Sequence, residues 1–199
     1  LGVRYDNERG VPHDDAQAVE WFRKAAEQGL AAAQFNMGLM YDNRRGVPQD
    51  DAQAVEWYRK AAEQGLAAAQ FNMGFMYVSG RGVPQDLAHA VTWFRKAAEQ
   101  GYVEAQLTLG WIYESGLGVP QDDAQAVEWF RKAAEQGHAA AQCNFGFMYD
   151  NGRGVPQDDA QAVEWYRKAA EQGHAVAQFN VGFMYDNGQG VPQDHAQAV

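Results

Sequence analysis

The sequence predicts an all-α fold, an α/α solenoid of 36-residue helix–turn–helix repeats, and three observations carry that prediction. Pro12, Pro48, Pro84, Pro120, Pro156 and Pro192 stand 36 residues apart. Trp21, Trp57, Trp93, Trp129 and Trp165 keep the same step without an insertion. The stretch Arg-Lys-Ala-Ala-Glu-Gln-Gly recurs from Arg23, Arg59, Arg95, Arg131 and Arg167, and residues 30–65 differ from 138–173 at five of 36 positions. A fixed period of this length describes units that bury their apolar faces by stacking on one another. The expected organisation is one repeat domain over 1–199. It comprises a partial unit 1–29, full repeats 30–65, 66–101, 102–137 and 138–173, and a partial unit 174–199. Residues 1–9 match only the back half of a first helix and 195–199 only the start of a second, so a longer array is expected.

Each unit reads as two helices. The spacing predicts the first over 67–79, where Ala69, Met73, Met76 and Tyr77 form one buried stripe. Gly80 and Gly82 stop it, because glycine adopts the left-handed conformation that closes a helix. Pro84 bars an immediate restart, and Asp86 caps the second helix. In the neighbouring unit Asp50 and Gln53 have the spacing of a capping box, and Asp51 places charge at the positive end of the helix dipole. That helix is expected to bury Ala54, Trp57, Tyr58, Ala61 and Ala62 and to pair Glu56 with Lys60, before Gly65 ends it. Two departures stand out. Arg44 and Glu8 occupy the position that Gly80, Gly116, Gly152 and Gly188 hold elsewhere, so the bend there is either strained or shifted to Asn43 or Asn7. Leu30, Leu66, Tyr102, His138 and His174 are poor residues with which to open a first helix.

Composition taken alone points the other way. Leu, Ile, Val and Phe number 36 of 199 and the net charge is −10, a combination that below roughly 20% signals disorder. The 6 Trp, 9 Tyr and 10 Phe oppose it. The repeat resolves the conflict, since a thin solenoid core can use Ala and Gly for close approach and aromatics and Met to fill the gaps. The acidic balance argues against nucleic acid, which requires clustered Lys and Arg. No apolar run is long enough to insert in a membrane as a helix. Cys143 is the one cysteine, which excludes an internal disulfide, and its expected state is a small buried hydrophobe.

The motif Ala-x-x-x-Met-Gly-x-Met-Tyr, then Gly-Val-Pro-x-Asp, then Ala-x-x-Trp-[Phe/Tyr]-x-x-Ala-Ala-x-x-Gly resembles the Sel1-like repeat, a relative of the tetratricopeptide repeat. The resemblance covers essentially the whole chain. It implies a right-handed superhelix whose first helices line a concave face, and bacterial adaptor proteins that bind other proteins.

On that implied face, helical spacing exposes one stripe per unit. Asn36, Asn72, Asn144 and Asn180 form a ladder interrupted by Thr108. Two roles are open to it: the amides meet a partner's backbone, or they fix the stacking of neighbouring helices. Phe75, Trp111, Phe147 and Phe183 form an aromatic row, with Phe35, Phe71 and Phe179 beside it. Such a row is either core between units or a set of partner anchors. The central unit is distinctive, with Glu104, Leu107, Thr108, Trp111 and Glu114 changed on one face. Residues 66–101 carry three cations and two acids, whereas 102–137 carry two cations and six acids.

No chemistry of turnover is apparent. His13, His89, His138, His174 and His195 do not cluster, and no phosphate loop, nucleophile elbow or zinc-protease motif occurs. The expected function is therefore a non-catalytic scaffold, without metal or cofactor, that binds a protein or peptide through Asn36, Asn72, Phe75, Glu104, Leu107, Thr108, Trp111, Asn144, Phe147, Asn180 and Phe183. Two alternatives stand beside it: an envelope-associated binder of small molecules or cell-wall ligands, and an architectural spacer.

Overall fold

The structure, a computed structural model, describes residues 14–192. The expectations for residues 1–9, including Glu8, and for 195–199 lie outside the described residues. Ten α-helices and no strand are present among those described. They belong to two compact units, residues 1–100 and 101–199. The first unit holds α1 (Asp15–Glu27), α2 (Ala31–Asp42), α3 (Asp51–Glu63), α4 (Ala67–Ser79) and α5 (Leu87–Glu99). The second holds α6 (Val103–Ser115), α7 (Asp123–Glu135), α8 (Ala139–Asn151), α9 (Asp159–Glu171) and α10 (Ala175–Asn187). Even-numbered helices are the first of each repeat, odd-numbered ones the second. Within each unit consecutive helices pack on one another.

Each second helix opens on an aspartate. Asp14, Asp50, Asp86, Asp122 and Asp158 have extended backbone and accept the backbone N–H three residues on, as Asp50 does from Gln53 at 3.0 Å. The expected capping box is only half formed. The Asp50 N–H donates to the Tyr41 carbonyl at 3.3 Å, and Asp86, Asp122 and Asp158 donate likewise to Tyr77, Tyr113 and Tyr149. The amide that a returning Gln53 would satisfy is instead used to tie the loop to the preceding first helix.

First helices open differently. Leu30, Leu66 and Tyr102 provide no side-chain cap, and their carbonyls accept the N–H of Gln34, Gln70 and Gln106. His138 and His174 do cap, with Nδ1 accepting from the N–H of Ala141 and Ala177 at 3.4 and 3.3 Å. That bond requires the neutral ring with its proton on Nε2. At the far end Gly80, Gly116, Gly152 and Gly188 are left-handed, with φ from 62° to 73°. Arg44 keeps the same conformation at φ 59° while Asn43 stays at −98°. The bend has not shifted, and Arg44 carries its strain.

The core of each helix pair is a glycine laid against an aromatic ring. Gly38 faces Tyr58, Gly74 faces Phe94, Gly110 faces Phe130 and Gly146 faces Tyr166, each so closely that a Cβ would enter the ring. All four rings are fully buried. Ala54, Val55, Ala61 and Ala62 surround Tyr58 in the core. Trp57 is only half-buried, and Lys60 Nζ lies 4.2 Å from its ring centroid; no pairing of Lys60 with Glu56 occurs among the described residues. The other four tryptophans of this series carry the equivalent lysine in the same way.

Neighbouring repeats are joined by polar links. Gln70 Nε2 donates to the Ala62 carbonyl at 3.1 Å, and its Oε1 accepts from Gln100 at 2.7 Å. Gln142 does the same with Ala134 and Gln172. These side chains give a second donor to a carbonyl in the last turn of the preceding second helix, since Ala62 also accepts the Gly65 N–H and Ala134 the Gly137 N–H. Arginine clamps provide a second link. Arg81 bridges Asp42 at 2.6 Å and Asp51 through Nε at 3.2 Å, and Arg153 bridges Glu114 at 2.7 Å and Asp123 at 2.8 Å. The arginine hydrogen bond holds each of Asp51 and Asp123 below the usual carboxylate range. Asp150 has no such arginine, since Gln189 stands at that position. Burial pushes the Asp150 carboxyl up, the charge of Asp159 adds to it, and the Tyr166 hydrogen bond opposes it.

Three stability outcomes are expected. Gly110→Ala drives a methyl into Phe130 and should lower stability by about 1–3 kcal/mol, although helix propensity alone would add about 1 kcal/mol. Gly146→Ala should lose less, because its Cβ would stand 2.9 Å from the Tyr166 ring edge. Denaturant unfolding followed by circular dichroism measures both, and a gain at Gly110 would show that the ring can yield. Arg44→Gly relieves left-handed strain and should raise stability by roughly 0.5–1 kcal/mol after the added chain entropy is offset. A lower melting temperature would contradict that assignment. For Asp150 the folded state binds its proton more tightly than the unfolded chain does. Its ionisation therefore destabilises the fold fully above the raised pKa and not at all below the unfolded value. Asp150→Asn should raise the melting temperature at pH 7 and leave it unchanged near pH 3, so an equal shift at both would refute the linkage.

Candidate partner-binding face

The exposed side of the first helices is set by what the other side must bury. In α4, Ala69, Gln70, Met73, Gly74 and Met76 face inward, which leaves Phe75 turned outward by helical spacing. Phe75 is 46% exposed. It is not isolated, since its ring centroid lies 4.8 Å from Phe71 and 5.3 Å from the buried Phe94, both edge-on. Phe71 is half-buried and tilts against Phe94 at 5.6 Å. Phe75 is thus the outer member of a packed three-ring cluster. At the equivalent place in α2, Leu39 is half-buried, and Phe35 packs on Tyr58 at 5.8 Å.

In the second unit Trp111, Phe147 and Phe183 are 48%, 40% and 53% exposed. They stand one per first helix at the same register. Phe179 is exposed as well and stacks near Phe183, with centroids 6.5 Å apart. Phe75 thus has one edge packed on the protein and the rest open to solvent, and Trp111, Phe147 and Phe183 are comparably exposed. Glu104 is exposed at the start of α6, and Thr108 is half-buried with its hydroxyl donating back to the Glu104 carbonyl at 2.7 Å.

Leu107 is a correction. It reads as part of the exposed stripe, yet it is 7% exposed. Its position is the inner margin of the stripe, where Phe35 and Phe71 are half-buried and the smaller Cys143 is also buried. A Leu or Cys is short enough to tuck wholly beneath that margin, whereas a phenyl ring protrudes. Burial also pushes up the Cys143 thiol, in keeping with a packed rather than a reactive cysteine.

The asparagines sit deeper than the aromatics. Asn36, Asn72, Asn144 and Asn180 are all half-buried. Asn72 hydrogen-bonds Tyr58, whose hydroxyl donates to Asp42 at 3.1 Å. Asn180 hydrogen-bonds Tyr166, whose hydroxyl donates to Asp150 at 3.3 Å. Both tyrosines belong to the preceding repeat, so these two amides are engaged in stacking. Phe130 takes the tyrosine's place one repeat earlier than Tyr166, and Asn144 Nδ2 is buried with no hydrogen-bond partner among the described residues. The glutamines Gln34, Gln70, Gln106 and Gln142 are buried and polar, and sequence reasoning passed over them. Their recurrence inside an otherwise apolar stripe was the available signal.

No group of three or more His, Cys, Asp and Glu among the described residues is placed to hold a metal ion. Among those same residues no helix is long and apolar enough to cross a membrane.

Comparison with known proteins agrees with this architecture. The Sel1 repeat pattern matches residues 1–30, 31–66, 67–102, 103–138, 139–174 and 175–199. The chain is similar to a protective antigen of uropathogenic Escherichia coli with an SLR fold, at 48% identity and a TM-score of 0.96. The alignment covers 100% of this chain and 42% of that protein, so the chain spans about two fifths of its relative's length. A Sel1 repeat protein from Oxalobacter formigenes is 36% identical with a TM-score of 0.92, over 99% of this chain and 79% of that one. A Sel1 repeat protein from Klebsiella pneumoniae is 26% identical with a TM-score of 0.53, over 84% of this chain and 83% of that one. No curated protein sequence matches the chain significantly. Sel1 repeat proteins are generally non-enzymatic protein-interaction scaffolds. Six matched repeats, with ten helices at a 36-residue period among the described residues, place this chain, an all-α solenoid, in the Sel1 repeat family.

Proposed function

We propose that the chain is a non-catalytic protein-binding module that holds a peptide or partner loop along the exposed row of its first helices. The observation that supports this reading is the register of Trp111, Phe147 and Phe183. All three rings turn outward at one register, while Phe130 and Tyr166 of the second helices are fully buried. Large half-exposed rings seated on a rigid base are the side chains that most often anchor a partner, since they contribute area with little conformational entropy to lose. Phe75 offers the first unit a separate anchor of the same kind. In the second unit Glu104 and Thr108 form the polar surround, and buried Leu107 precedes Trp111 by one helical turn.

Selection of peptides from a displayed library on the intact chain, followed by titration calorimetry, tests the proposal. Trp111→Ala and Phe147→Ala should each weaken the selected peptide by roughly 30-fold, the effect of losing about 2 kcal/mol at an anchor. Their melting temperatures should change little, because both rings are already half in water. Undiminished affinity in both variants would sink the aromatic row as the binding site. Failure to select any peptide that competes at this row would favour the architectural spacer.

A further inference from the structure

The arginine clamp recurs at the 36-residue period, is replaced whole by Val78, Leu87 and Leu117 at one step, and keeps both acids without the arginine at another. In the first unit Arg81 enters between Asp42 and Asp51, and in the second Arg153 enters between Glu114 and Asp123. The next set of equivalent positions is Asp150, Asp159 and Gln189. The backbone there is seated as in its counterparts. The Gln189 N–H donates to the Met184 carbonyl at 2.9 Å, as the Arg81 and Arg153 N–H groups donate to Met76 and Met148. Gly190 abuts the Asp159 carbonyl as Gly82 abuts Asp51 and Gly154 abuts Asp123. The loop has not moved away, so only the guanidinium is lacking.

The two carboxylates are left with neutral partners. Asp150 accepts from the Tyr166 hydroxyl at 3.3 Å, and Asp159 from Gln157 Nε2 at 3.1 Å. No side-chain hydrogen bond from Gln189 to either is present among the described residues. Asp150 follows Phe147 by three residues on α8, which sets the pair beside the exposed aromatic row. The chain carries a net charge of −10, so a cationic partner is favoured on approach.

We infer that Asp150 and Asp159 form a receptor for an arginine side chain of the bound peptide, which takes the place that Arg81 and Arg153 fill internally in two other repeats. The occupied clamps supply the independent sign of a ligand: the same positions, in the same backbone setting, already hold a guanidinium. They also select its chemistry. Arg81 and Arg153 each present Nε and a terminal nitrogen to one carboxylate, a planar fork that lysine cannot reproduce. The assignment rests on the protein-binding reading above and adds to it the class of residue recognised.

Gln189→Arg is the decisive variant, because it fills the receptor from within and removes neither acid. The probe is the blocked pentapeptide acetyl-Ala-Phe-Arg-Phe-Ala-amide, with versions carrying citrulline or lysine in place of arginine, titrated by nitrogen-15 NMR. The arginine peptide should shift the amides of residues 150, 159 and 189 in the wild-type chain. It should bind at least tenfold more weakly to Gln189→Arg and to Asp159→Asn, and the citrulline and lysine peptides should bind the wild type at least tenfold more weakly. Gln189→Arg should remain folded with a higher melting temperature. Equal binding by wild type and Gln189→Arg, or no binding by the wild type, overturns the receptor. Tight binding of the citrulline peptide that depends on Phe147 would overturn the receptor while leaving the aromatic row intact. Self-association of the chain that Gln189→Arg abolishes would overturn the peptide as occupant in favour of a second copy.

Discussion

The recurring contact of this protein is between a helix backbone and a ring. Gly38, Gly74, Gly110 and Gly146 each lie flat on the aromatic side chain of the following helix, with no room for a Cβ. That contact fixes how near the two helices of a repeat can come, and therefore which other residues fit between them. Ala54, Ala61 and Ala62 are buried in the same cluster as Tyr58, small side chains suited to a close crossing. Met37, Met73 and Met148 are fully buried as well, flexible side chains suited to irregular gaps. The shortage of Leu and Ile in the composition follows from this geometry. A core one contact thick needs thin residues at the crossing and wide ones at its flanks, whereas a globular core draws on branched aliphatics throughout.

A thin core leaves much of the adhesion between repeats to polar groups. The buried glutamines, the tyrosine–aspartate bonds and the arginine clamps all run from one repeat to the next or brace a residue that does. Each such bond is modest alone, near 1 kcal/mol for a neutral one, and less for an ion pair as open as these. Their geometric demand is sharper than their energy. A glutamine that must meet a carbonyl on one side and an amide on the other tolerates little sliding of one helix pair over the next, so these bonds fix register more than they add stability.

Much of the fold was legible because its determinants are local. The bounds of α4 at Ala67–Ser79, the aspartate caps and the glycine stops depend on residues a few positions apart. The features that escaped depend on a neighbour from the adjoining helix or repeat. The capping box is half formed because the Asp50 amide is drawn to Tyr41. Leu107 is buried because its side chain is shorter than the phenyl group at the same place elsewhere. The recurrence of Gln70 and its equivalents was visible in the sequence, but its two partners, Ala62 and Gln100, were not, since they lie in the preceding repeat and at the end of the following helix. Of the proposed face, the outward rings were predictable from helical spacing alone, while the placement of the asparagines between helices was not.

The repeats differ where these long-range partners change, and the differences are coordinated. Tyr58 and Tyr166 place hydroxyls between an acid and an asparagine, so Asp42 with Asn72 and Asp150 with Asn180 are satisfied together. Phe130 removes the hydroxyl, and Asn144 is the amide left buried without a partner. In the same repeat the acid is Glu114, which reaches Arg153 instead. Replacement of one member of such a triad thus changes what its neighbours can do, even where the helices themselves are unaltered. Variation in a tandem array of this kind is better read along the polar links that cross from repeat to repeat than within any single repeat. By that measure the triad of Asp150, Asp159 and Gln189 is the departure that leaves two charges in want of a third.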